Sequence, residues 1–442
     1  MSHFEKLFSP TAALLGLIGL PVVFGTVLYG CSGDSGGAPE ANKDPVKPPE
    51  AAPAPVVPVQ EPLVGGPYPT LLLTSAQFVK APGGKPKPGP ALLSMWRKTP
   101  DGWKVVKLED PASNVFHKAL PYDGGILTIG AEKAWLKLWK FADGKWSSQE
   151  LWNPSWGGKF NRIRDLEIGD VNGDGADDFV MATHDYGVVA VASMKDGKAD
   201  VVELNKAPDT FVHEIEIGDI DGDGKKEFFA TPSGRNQSSG VSQPGEVAMF
   251  RWDGTTYQKT VVDSFEKSHA KEILAVDLQG KGKSDLFAVI EAETELQGGQ
   301  ARVVKPVEIR HYELQKDGTF KHTVAATIDD KQTRFLVPGD FDGDGKKELV
   351  AAAMTTGLWV LEQEKDGTWT STNIEKNSSG FEHTAFGADL DEDGKLELYV
   401  AADEQHELRQ YVYNAETKTY EKTVLGPIQN DTITWNMSAG KF

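Results

Sequence analysis

The stretch Asp219-Ile-Asp221-Gly-Asp223-Gly-Lys-Lys-Glu227 decides the fold, because copies of these nine residues recur along the chain. Three further copies keep carboxylate or amide side chains at positions 1, 3, 5 and 9, and glycine at position 6. They span residues 170–178, 340–348 and 389–397. A damaged fifth copy at 277–285 has glutamine at position 3 and lysine at position 5. The repetition indicates one structural unit that is used several times.

The loop offers oxygen donors from the side chains at positions 1, 3, 5 and 9 and from the carbonyl at position 7. Calcium takes about six to eight oxygen ligands in a flexible shell, so this donor set favours calcium. Glycine at position 6 permits the sharp turn that a Cβ would obstruct. The predicted calcium donors are Asp170, Asn172, Asp174, Ala176 and Asp178; Asp219, Asp221, Asp223, Lys225 and Glu227; Asp340, Asp342, Asp344, Lys346 and Glu348; and Asp389, Asp391, Asp393, Lys395 and Glu397.

An EF-hand begins with a similar pattern, but it needs a bidentate glutamate at position 12 and a helix on each side. Position 12 here is Met181, Ala230, Ala351 or Val400. Each loop is also followed by a short apolar run typical of a strand. The pattern therefore predicts a strand-loop-strand metal site and excludes an EF-hand.

Tight hairpins form a second repeat, because Asp-Gly between alternating apolar segments favours a two-residue turn. Asp-Gly pairs stand at 101–102, 143–144, 196–197, 253–254, 317–318 and 366–367, and Asn414 begins the matching turn of the last unit. These turns divide residues 69–442 into seven units of about 53 residues, which is close to the period of a propeller blade. Each unit reads as four antiparallel strands, A to D, with the acidic loop between A and B.

The predicted fold is therefore an all-β, seven-bladed β-propeller over residues 69–442. The first unit begins at Thr70 with a strand B that has no strand A before it. The chain ends at Asp431–Met437 with an unpartnered strand A. We expect this C-terminal strand to pair with the N-terminal blade, which closes the ring and leaves no free sheet edge.

The loops with their flanks, such as 217–228 and 339–349, resemble FG-GAP/VCBS-type repeats. Such repeats form the calcium-binding blades of integrin α-subunit heads and of many bacterial envelope proteins. The resemblance covers residues 69–442 and is strongest over 160–402. It implies a calcium-stabilised propeller that serves mostly in adhesion or binding, and it does not specify the ligand.

The N-terminal region predicts membrane attachment. Residues 11–30 are uncharged and end at Cys31, the single cysteine of the chain. This arrangement resembles a bacterial lipoprotein signal, with 1–30 removed and Cys31 lipidated, although an apolar run of this length can also span a bilayer uncleaved. The Gly-, Pro- and Ala-rich residues 31–68 predict a disordered tether. We therefore expect a lipid-anchored protein of the bacterial cell envelope.

The chain carries 65 acidic against 46 basic residues, a formal charge of -19. This balance argues against a nucleic-acid partner. A single cysteine excludes an internal disulfide. We expect a monomeric propeller whose partner is a protein or a glycan of unknown identity.

Basic residues recur six positions before each loop, or before the Asp123 turn that replaces the loop in the second unit. These residues are His117, Arg164, His213, Lys271, Arg334 and His383. They lie near the start of strand A, the innermost strand, and are predicted to ring the channel mouth opposite the calcium loops. Such a ring suits an anion such as a uronate or a phosphate. The alternative is that each residue pairs with a neighbouring acid, from the set Asp165, Glu214, Glu272 and Glu382.

Two long loops, 233–245 and 294–306, are predicted on the same face as the basic ring. Trp152 and Trp156 connect the second unit to the third. They are candidates for stacking on a sugar ring, and the alternative is that they fill a blade junction.

Catalytic motifs are lacking in the sequence: it contains no Gly-x-Ser-x-Gly and no His-Glu-x-x-His. We therefore predict a binding or adhesion module that is not an enzyme. The alternative is a polysaccharide-lyase-like propeller in which His213 or Lys271 is the base beside a bound uronate.

Overall fold

The structure is a computed structural model that describes residues 66–81, 84–157, 161–184, 186–237 and 239–442. The predicted signal segment, Cys31 and most of the predicted tether lie outside the described residues. Within the described ranges, no helix has the length and apolar character needed to cross a membrane.

The described residues form seven four-stranded antiparallel sheets arranged as the blades of a propeller, which confirms the predicted fold. Blade 1 contains β1 (Pro69–Lys80), β3 (Ala91–Thr99), β4 (Gly102–Asp110) and β31 (Thr432–Lys441), with the short β2 (Pro86–Pro88) beside β1. Blade 2 contains β5 (Phe116–Tyr122), β6 (Gly125–Gly130), β7 (Leu136–Ala142) and β8 (Lys145–Trp152). Blade 3 contains β9 (Arg162–Gly169), β10 (Asp178–His184), β11 (Val189–Lys195) and β12 (Lys198–Asn205).

The remaining blades follow in chain order. Blade 4 contains β13 (Thr210–Gly218), β14 (Glu227–Gly234), β15 (Gly245–Trp252) and β16 (Tyr257–Phe265). Blade 5 contains β17 (Ala270–Val276), β18 (Asp285–Ile290), β21 (Val307–Leu314) and β22 (Phe320–Ile328), with an inserted hairpin of β19 (Glu293–Gln297) and β20 (Gln300–Lys305). Blade 6 contains β23 (Thr333–Gly339), β24 (Glu348–Ala353), β25 (Gly357–Gln363) and β26 (Trp369–Glu375), and blade 7 contains β27 (Ala385–Ala388), β28 (Glu397–Ala402), β29 (Glu407–Asn414) and β30 (Thr419–Pro427).

The predicted Asp-Gly pairs lie where the third strand of a blade meets the fourth, but they form the two-residue turn only in blades 2 and 3. In blades 4, 5 and 6 the pair lies in a loop of four or five residues. Asp143 and Gly144 have φ angles of 53° and 74°, and Asp196 and Gly197 have φ angles of 51° and 75°. Two consecutive residues with positive φ are the signature of a type I′ turn, whose twist matches that of the two strands it joins. Asp-Gly favours this turn because both residues tolerate the left-handed region.

The hydrophobic core lies between neighbouring blades. Every residue of the second strands β10, β24 and β28 is buried. At the junction of blades 5 and 6, Phe287 and Ile309 belong to the same buried cluster as Leu336 and Ala351. Burial of apolar area between sheets is the main stabilising contribution here, and it holds the blades in the ring.

The ring closes in blade 1, as predicted. β31 pairs with β1 over a register that runs from Pro69 opposite Lys441 to Gln77 opposite Thr432. A side chain from blade 7 fixes this strand: Asp403 accepts hydrogen bonds from the main-chain N–H of Thr434 and from its hydroxyl, both at 2.8 Å. The predicted strand ended at Met437, whereas β31 continues to Lys441.

Thr434→Val tests this closure. The substitution keeps the shape of a fully buried side chain and removes the hydroxyl donor to Asp403. We expect the free energy of unfolding to fall by about 1–2 kcal/mol, because a buried acceptor loses one donor. Urea unfolding measures the change, with Thr372→Val on the exposed face of β26 as the control. Equal changes in the two variants would contradict this role.

Candidate functional site

The acidic loops lie at one face of the ring, between the first and second strands of blades 3 to 7. In the blade 6 loop, Asp340, Asp342 and Asp344 each accept a main-chain N–H of the same loop at 2.9–3.0 Å. Glu348 closes the loop by accepting the N–H of Phe341 at 2.9 Å. These hydrogen bonds order the loop and gather its carboxylates on one side.

The loop carboxylates are close enough to share one cation. In three loops their oxygens lie within 4.8 Å of one another, in the groups Asp340, Asp342, Asp344 and Glu348; Asp389, Asp391, Asp393 and Glu397; and Asp219, Asp221 and Glu227. The blade 3 loop has the same internal hydrogen bonds, with the Asn172 amide oxygen accepting the N–H of Asp174 at 2.8 Å. Hard oxygen donors crowded at this distance fit a calcium ion.

The crowding also affects protonation. Burial raises the pKa of Glu348 to about 7, and the charges of Asp342 and Asp340 add to this effect. A divalent cation among these carboxylates would relieve both the repulsion and the cost of burying Glu348 in its ionised form.

Blade 1 has no loop between its first two strands, β31 and β1, and blades 2 and 5 also lack this acidic group. In blade 2, the two-residue turn Asp123–Gly124 directly joins β5 to β6. In blade 5, the Asp277 carboxylate accepts the N–H groups of Lys281 and Gly282 at 2.8 and 2.7 Å. No cluster of metal-ligating side chains occurs there among the described residues, in keeping with the lysine at position 5.

The innermost strands carry a β-bulge at the same place in blade after blade, and the predicted basic residues occupy it. The pairing of β5, β9, β17 and β23 with their neighbours skips His117, Arg164, Lys271 and Arg334 respectively. In β13 the skipped pair begins with His213. A bulge re-aims a side chain that regular pairing would direct elsewhere.

These basic residues are buried. The pair of Lys271 and His213 is joined by a hydrogen bond of 3.0 Å between the amine nitrogen and Nδ1. Arg334 pairs with Glu382 at 3.0 Å, and the Arg164 guanidinium lies 3.6 Å from the same carboxylate and 3.5 Å from Glu214. The two arginines therefore follow the predicted alternative of pairing with neighbouring acids.

The other predicted basic positions make separate contacts. His117 lies edge-on to Trp435 of β31, with its Nδ1 2.7 Å from the Ile163 carbonyl. His383 has a φ of 51° and makes its hydrogen bonds to Ser378 and to a main-chain carbonyl. Glu382 is therefore the blade 7 residue that meets the arginines.

Trp152 and Trp156 contact each other at the junction of blades 2 and 3, with ring centroids 5.9 Å apart. Both pack against the buried cluster of these blades, and Trp156 Nε1 donates to Glu203 at 2.7 Å. The structure brings neither tryptophan to the basic residues, and their packing fits the predicted blade-junction alternative.

A cavity of about 40 Å³ opens between blades 4, 5 and 6, at the face opposite the acidic loops. Lys271, Arg334, His269 and Glu291 lie in its lining, together with residues of the blade 4 loop 236–243. That loop is joined to the inserted blade 5 hairpin by two reciprocal hydrogen bonds. Ser242 N–H donates to the Thr294 hydroxyl at 2.9 Å, and Thr294 N–H donates to the Ser242 hydroxyl at 2.8 Å.

In the cavity lining, Arg334 Nε and Glu291 Oε1 form an ion pair at 3.1 Å. Two other buried polar atoms of the lining, His269 Nδ1 and Gln332 Oε1, lack hydrogen-bond partners among the described residues. His269 is 2% exposed, and its Nε2 lies 3.2 Å from the Gln243 amide nitrogen. Nε2 also lies 3.5 Å from a Glu291 carboxylate oxygen. An amide nitrogen can only donate, so the tautomer of His269 that accepts from Gln243 carries its ring proton on Nδ1. In that tautomer the lining offers an unused donor from His269 and an unused acceptor from Gln332.

Burial also changes the protonation of this lining. It lowers the pKa of Lys271 to about 7, and the nearby Arg334 charge acts in the same direction. Burial and the Lys271 charge hold the pKa of both His213 and His269 well below its ordinary value, so both imidazoles are neutral. Near neutral pH the cavity is thus lined by an amine that gains or loses its proton readily.

Sequence reasoning found Lys271 and Arg334 through their periodic spacing and named Glu382 as a possible acidic partner, but it missed His269, Glu291 and Gln332. These three residues lie beside strand ends, and their contacts cross from one blade to the next. The unequal lengths of the blade 4 and blade 5 loops were the available sign of a site in this sector.

The fold resembles several solved propellers at low identity. A protein from Lactobacillus plantarum matches with a TM-score of 0.52 and 10% identity over 85% of this chain and 100% of that chain. The Synechocystis apocarotenoid oxygenase matches with a TM-score of 0.51 and 10% identity, over 89% of this chain and 97% of that chain. A candidate 6-phosphogluconolactonase from Bacteroides fragilis matches with a TM-score of 0.50 and 13% identity, over 86% of this chain and 100% of that chain. No curated protein matches the sequence.

The prediction that the protein is not an enzyme rested on the lack of catalytic motifs, and this premise is wrong. The solved structures that share the fold include an oxygenase and a candidate lactonase, so a propeller without recognisable motifs can still be an enzyme. At this level of identity the similarity shows the fold alone, and function must be argued from the site.

The family model of the FG-GAP-like repeat matches residues 170–230 and 340–400. Each match begins at position 1 of one acidic loop and runs through the next acidic loop, so together they include all four intact copies. The protein is a seven-bladed β-propeller that carries FG-GAP-like repeats.

Proposed function

We propose that the protein binds a small hydroxy acid of the carbohydrate type, a uronate or an aldonate, in the cavity opposite the acidic loops. The observation that carries the proposal is the cavity lining itself, in which a buried amine and two unpaired polar atoms face one small space. Polar groups buried without partners are uncommon and favour an external partner.

The charge of the lining favours an anion although the whole chain is strongly acidic. Lys271, Lys331 and Arg334 contribute positive charge, and Glu291 is the one acidic residue among the described lining residues. Arg334 is already paired with Glu382. The two lysines are therefore the cations available to a bound carboxylate.

The donor and acceptor pattern narrows the ligand class. A carboxylate would accept from the Lys271 amine and from the His269 Nδ1–H. Gln332 Oε1 needs a donor, which a carboxylate lacks and a hydroxyl supplies. A molecule that carries a carboxylate and a hydroxyl group close together satisfies all three side chains, and sugar acids have this arrangement.

The small volume of the cavity limits how much of the ligand can enter it. About 40 Å³ accommodates roughly three ordered waters, or one carboxylate group, and is too small for a pyranose ring. We infer that the acid group enters the cavity while the body of the ligand lies against the joined loops of blades 4 and 5. The name of the similar Bacteroides fragilis structure, which refers to a phosphorylated sugar-acid lactone, supports this ligand class.

We also propose that calcium occupies the acidic loops of blades 3, 6 and 7 and stiffens these blades, and that a lipid on Cys31 attaches the protein to the bacterial cell envelope. In this arrangement the calcium face and the ligand face lie at opposite ends of the channel. A glycan on a cell surface or in the matrix would then be the source of the acid, which corresponds to a role in adhesion.

A second candidate function is chemistry on the bound acid. The pKa of Lys271, about 7, leaves part of this amine neutral at physiological pH, as a general base requires. Incubation with a polyuronate and with an aldonolactone, followed by NMR of the products, distinguishes elimination, lactone hydrolysis and binding without turnover.

Lys271→Met tests the ligand site. We expect the affinity for glucuronate to fall at least about tenfold, because a charge-assisted hydrogen bond to the carboxylate is lost. Isothermal titration calorimetry measures the change, with uncharged glucose as the control ligand. Lys140→Met, at an exposed lysine paired with Asp123, is the control variant. An unchanged affinity in Lys271→Met would remove this residue from the site.

The affinity should also depend on pH in a defined direction. Lys271 carries its charge below about pH 7 in the free protein and loses it above. A bound anion stabilises the charged form, so binding above pH 7 takes up a proton and weakens by up to about tenfold per pH unit. Titrations between about pH 6 and 9 in buffers of different ionisation enthalpy detect the proton uptake. Stronger binding at alkaline pH is incompatible with the proposed role of Lys271.

Removal of calcium should destabilise the protein. Each site whose Kd lies about 100-fold below the free calcium concentration contributes about 2.7 kcal/mol to the free energy of unfolding. We expect EDTA to lower the melting temperature, and Asp342→Asn to reproduce part of this effect. The matched control is Asp277→Asn in the blade 5 loop, which lacks the acidic cluster. A melting temperature unaffected by EDTA would refute the metal assignment.

A further inference from the structure

The acidic loops differ at one position that faces them from the third strand of the blade. Ser193 pairs with Asp178, the last loop residue of blade 3. Continued by one residue, the strand register places Arg251 in blade 4, Glu362 in blade 6 and Val412 in blade 7 at the corresponding position. Four loops with nearly the same sequence therefore have four different neighbours: a hydroxyl, a cation, an anion and an apolar group.

In blade 4 this neighbour is Arg251, and its guanidinium lies within hydrogen-bond distance of the loop carboxylates. Arg251 Nη2 lies 2.7 Å from Asp221 Oδ2, and its Nε lies 2.8 Å from Glu227 Oε1. The guanidinium thus donates to two of the three carboxylates that form the cluster of this loop. No other loop cluster in the described part of the chain has an arginine bound to it.

We propose that Arg251 is a built-in counter-ion which replaces calcium in the blade 4 loop, so that blade 4 keeps its order without the metal. A cation held by the protein offsets the carboxylate repulsion as a bound ion would. Calcium could enter only by displacing two charge-assisted hydrogen bonds and by lying beside a positive charge. Its affinity for this loop is expected to be at least about tenfold lower than for the blade 6 loop.

Blade 5 also has little need of a metal. Its damaged loop keeps only two acidic donor positions, and the second of these, Asp285, lies 3.1 Å from His311 Nε2. Lys347 Nζ donates to the Asp277 carbonyl at 2.9 Å. Blades 4 and 5 supply the two joined loops over the ligand cavity. The part of the ring that holds this cavity is therefore expected to stay ordered when calcium is low.

The inference rests on the calcium part of the proposed function, and the number of bound ions separates the two. Native mass spectrometry of the full-length protein with calcium should count three tightly bound ions, in blades 3, 6 and 7. Arg251→Gln should raise the count to four, because the three carboxylates then lack their counter-ion. Arg310→Gln, which removes an arginine that bridges Asp263 and Glu308 away from any loop cluster, should leave the count at three.

Hydrogen exchange supplies an independent readout for each blade. On addition of EDTA, we expect amides in the loops of blades 3, 6 and 7 to lose protection by about tenfold or more, while those of blade 4 change by less than about twofold. In Arg251→Gln, blade 4 should join the calcium-dependent group. Four ions in the unmodified protein, with blade 4 as sensitive to EDTA as blade 6, would overturn the inference alone. No bound ions at all would overturn both the inference and the calcium assignment.

Discussion

Each acidic loop depends on one hydrogen bond between its two ends. The last carboxylate of the loop accepts the N–H of the second loop residue, at 3.1 Å for Glu227, 2.9 Å for Glu348 and 3.2 Å for Glu397. Each of these glutamates is buried at the start of a second strand, which is the most buried strand of its blade. The bond therefore links a solvent-facing loop to the core, and it buries a carboxyl group. A cation near this group, the proposed calcium ion or Arg251 in blade 4, would offset the cost of burying it in its ionised form.

Local patterns predicted most of the fold. The Asp-Gly turns, the strand-loop-strand units and the unpartnered C-terminal strand each depend on neighbouring residues, so the sequence alone was sufficient for them. The basic positions were also visible, because a fixed distance from the loop corresponds to a fixed place in the first strand. The direction and the contacts of these basic side chains could not be derived from the sequence. A bulge at Lys271 or Arg334 determines where the side chain points, and in blade 7 the residue that meets the arginines is Glu382, one position before the predicted His383.

The cavity shows the same limit of sequence-based prediction even more clearly. His269 and Gln332 lie on different blades, and nothing in the sequence between them indicates that they line a common space. Their proximity results from the packing of blade 5 against blade 6, which brings together residues about sixty positions apart in the chain. Sequence periodicity can thus identify the strand and the face, while the pairing of side chains across a junction requires the packed structure.

The distribution of charge connects the two ends of the channel. Along β13, His213 and Glu214 lie nearer the cavity, and Glu216 lies nearer the blade 4 loop. Burial holds the pKa of both glutamates well above the ordinary value, so these carboxyl groups favour the neutral form. The raised pKa values of Glu214 and Glu216 reduce the negative charge between the cavity and the blade 4 loop, whereas the Lys118 charge holds the pKa of Asp165 below its ordinary value. The field of the cavity lysines is therefore opposed less than the formal charge of the chain suggests, and the proposed anion would approach from the face that lacks acidic loops.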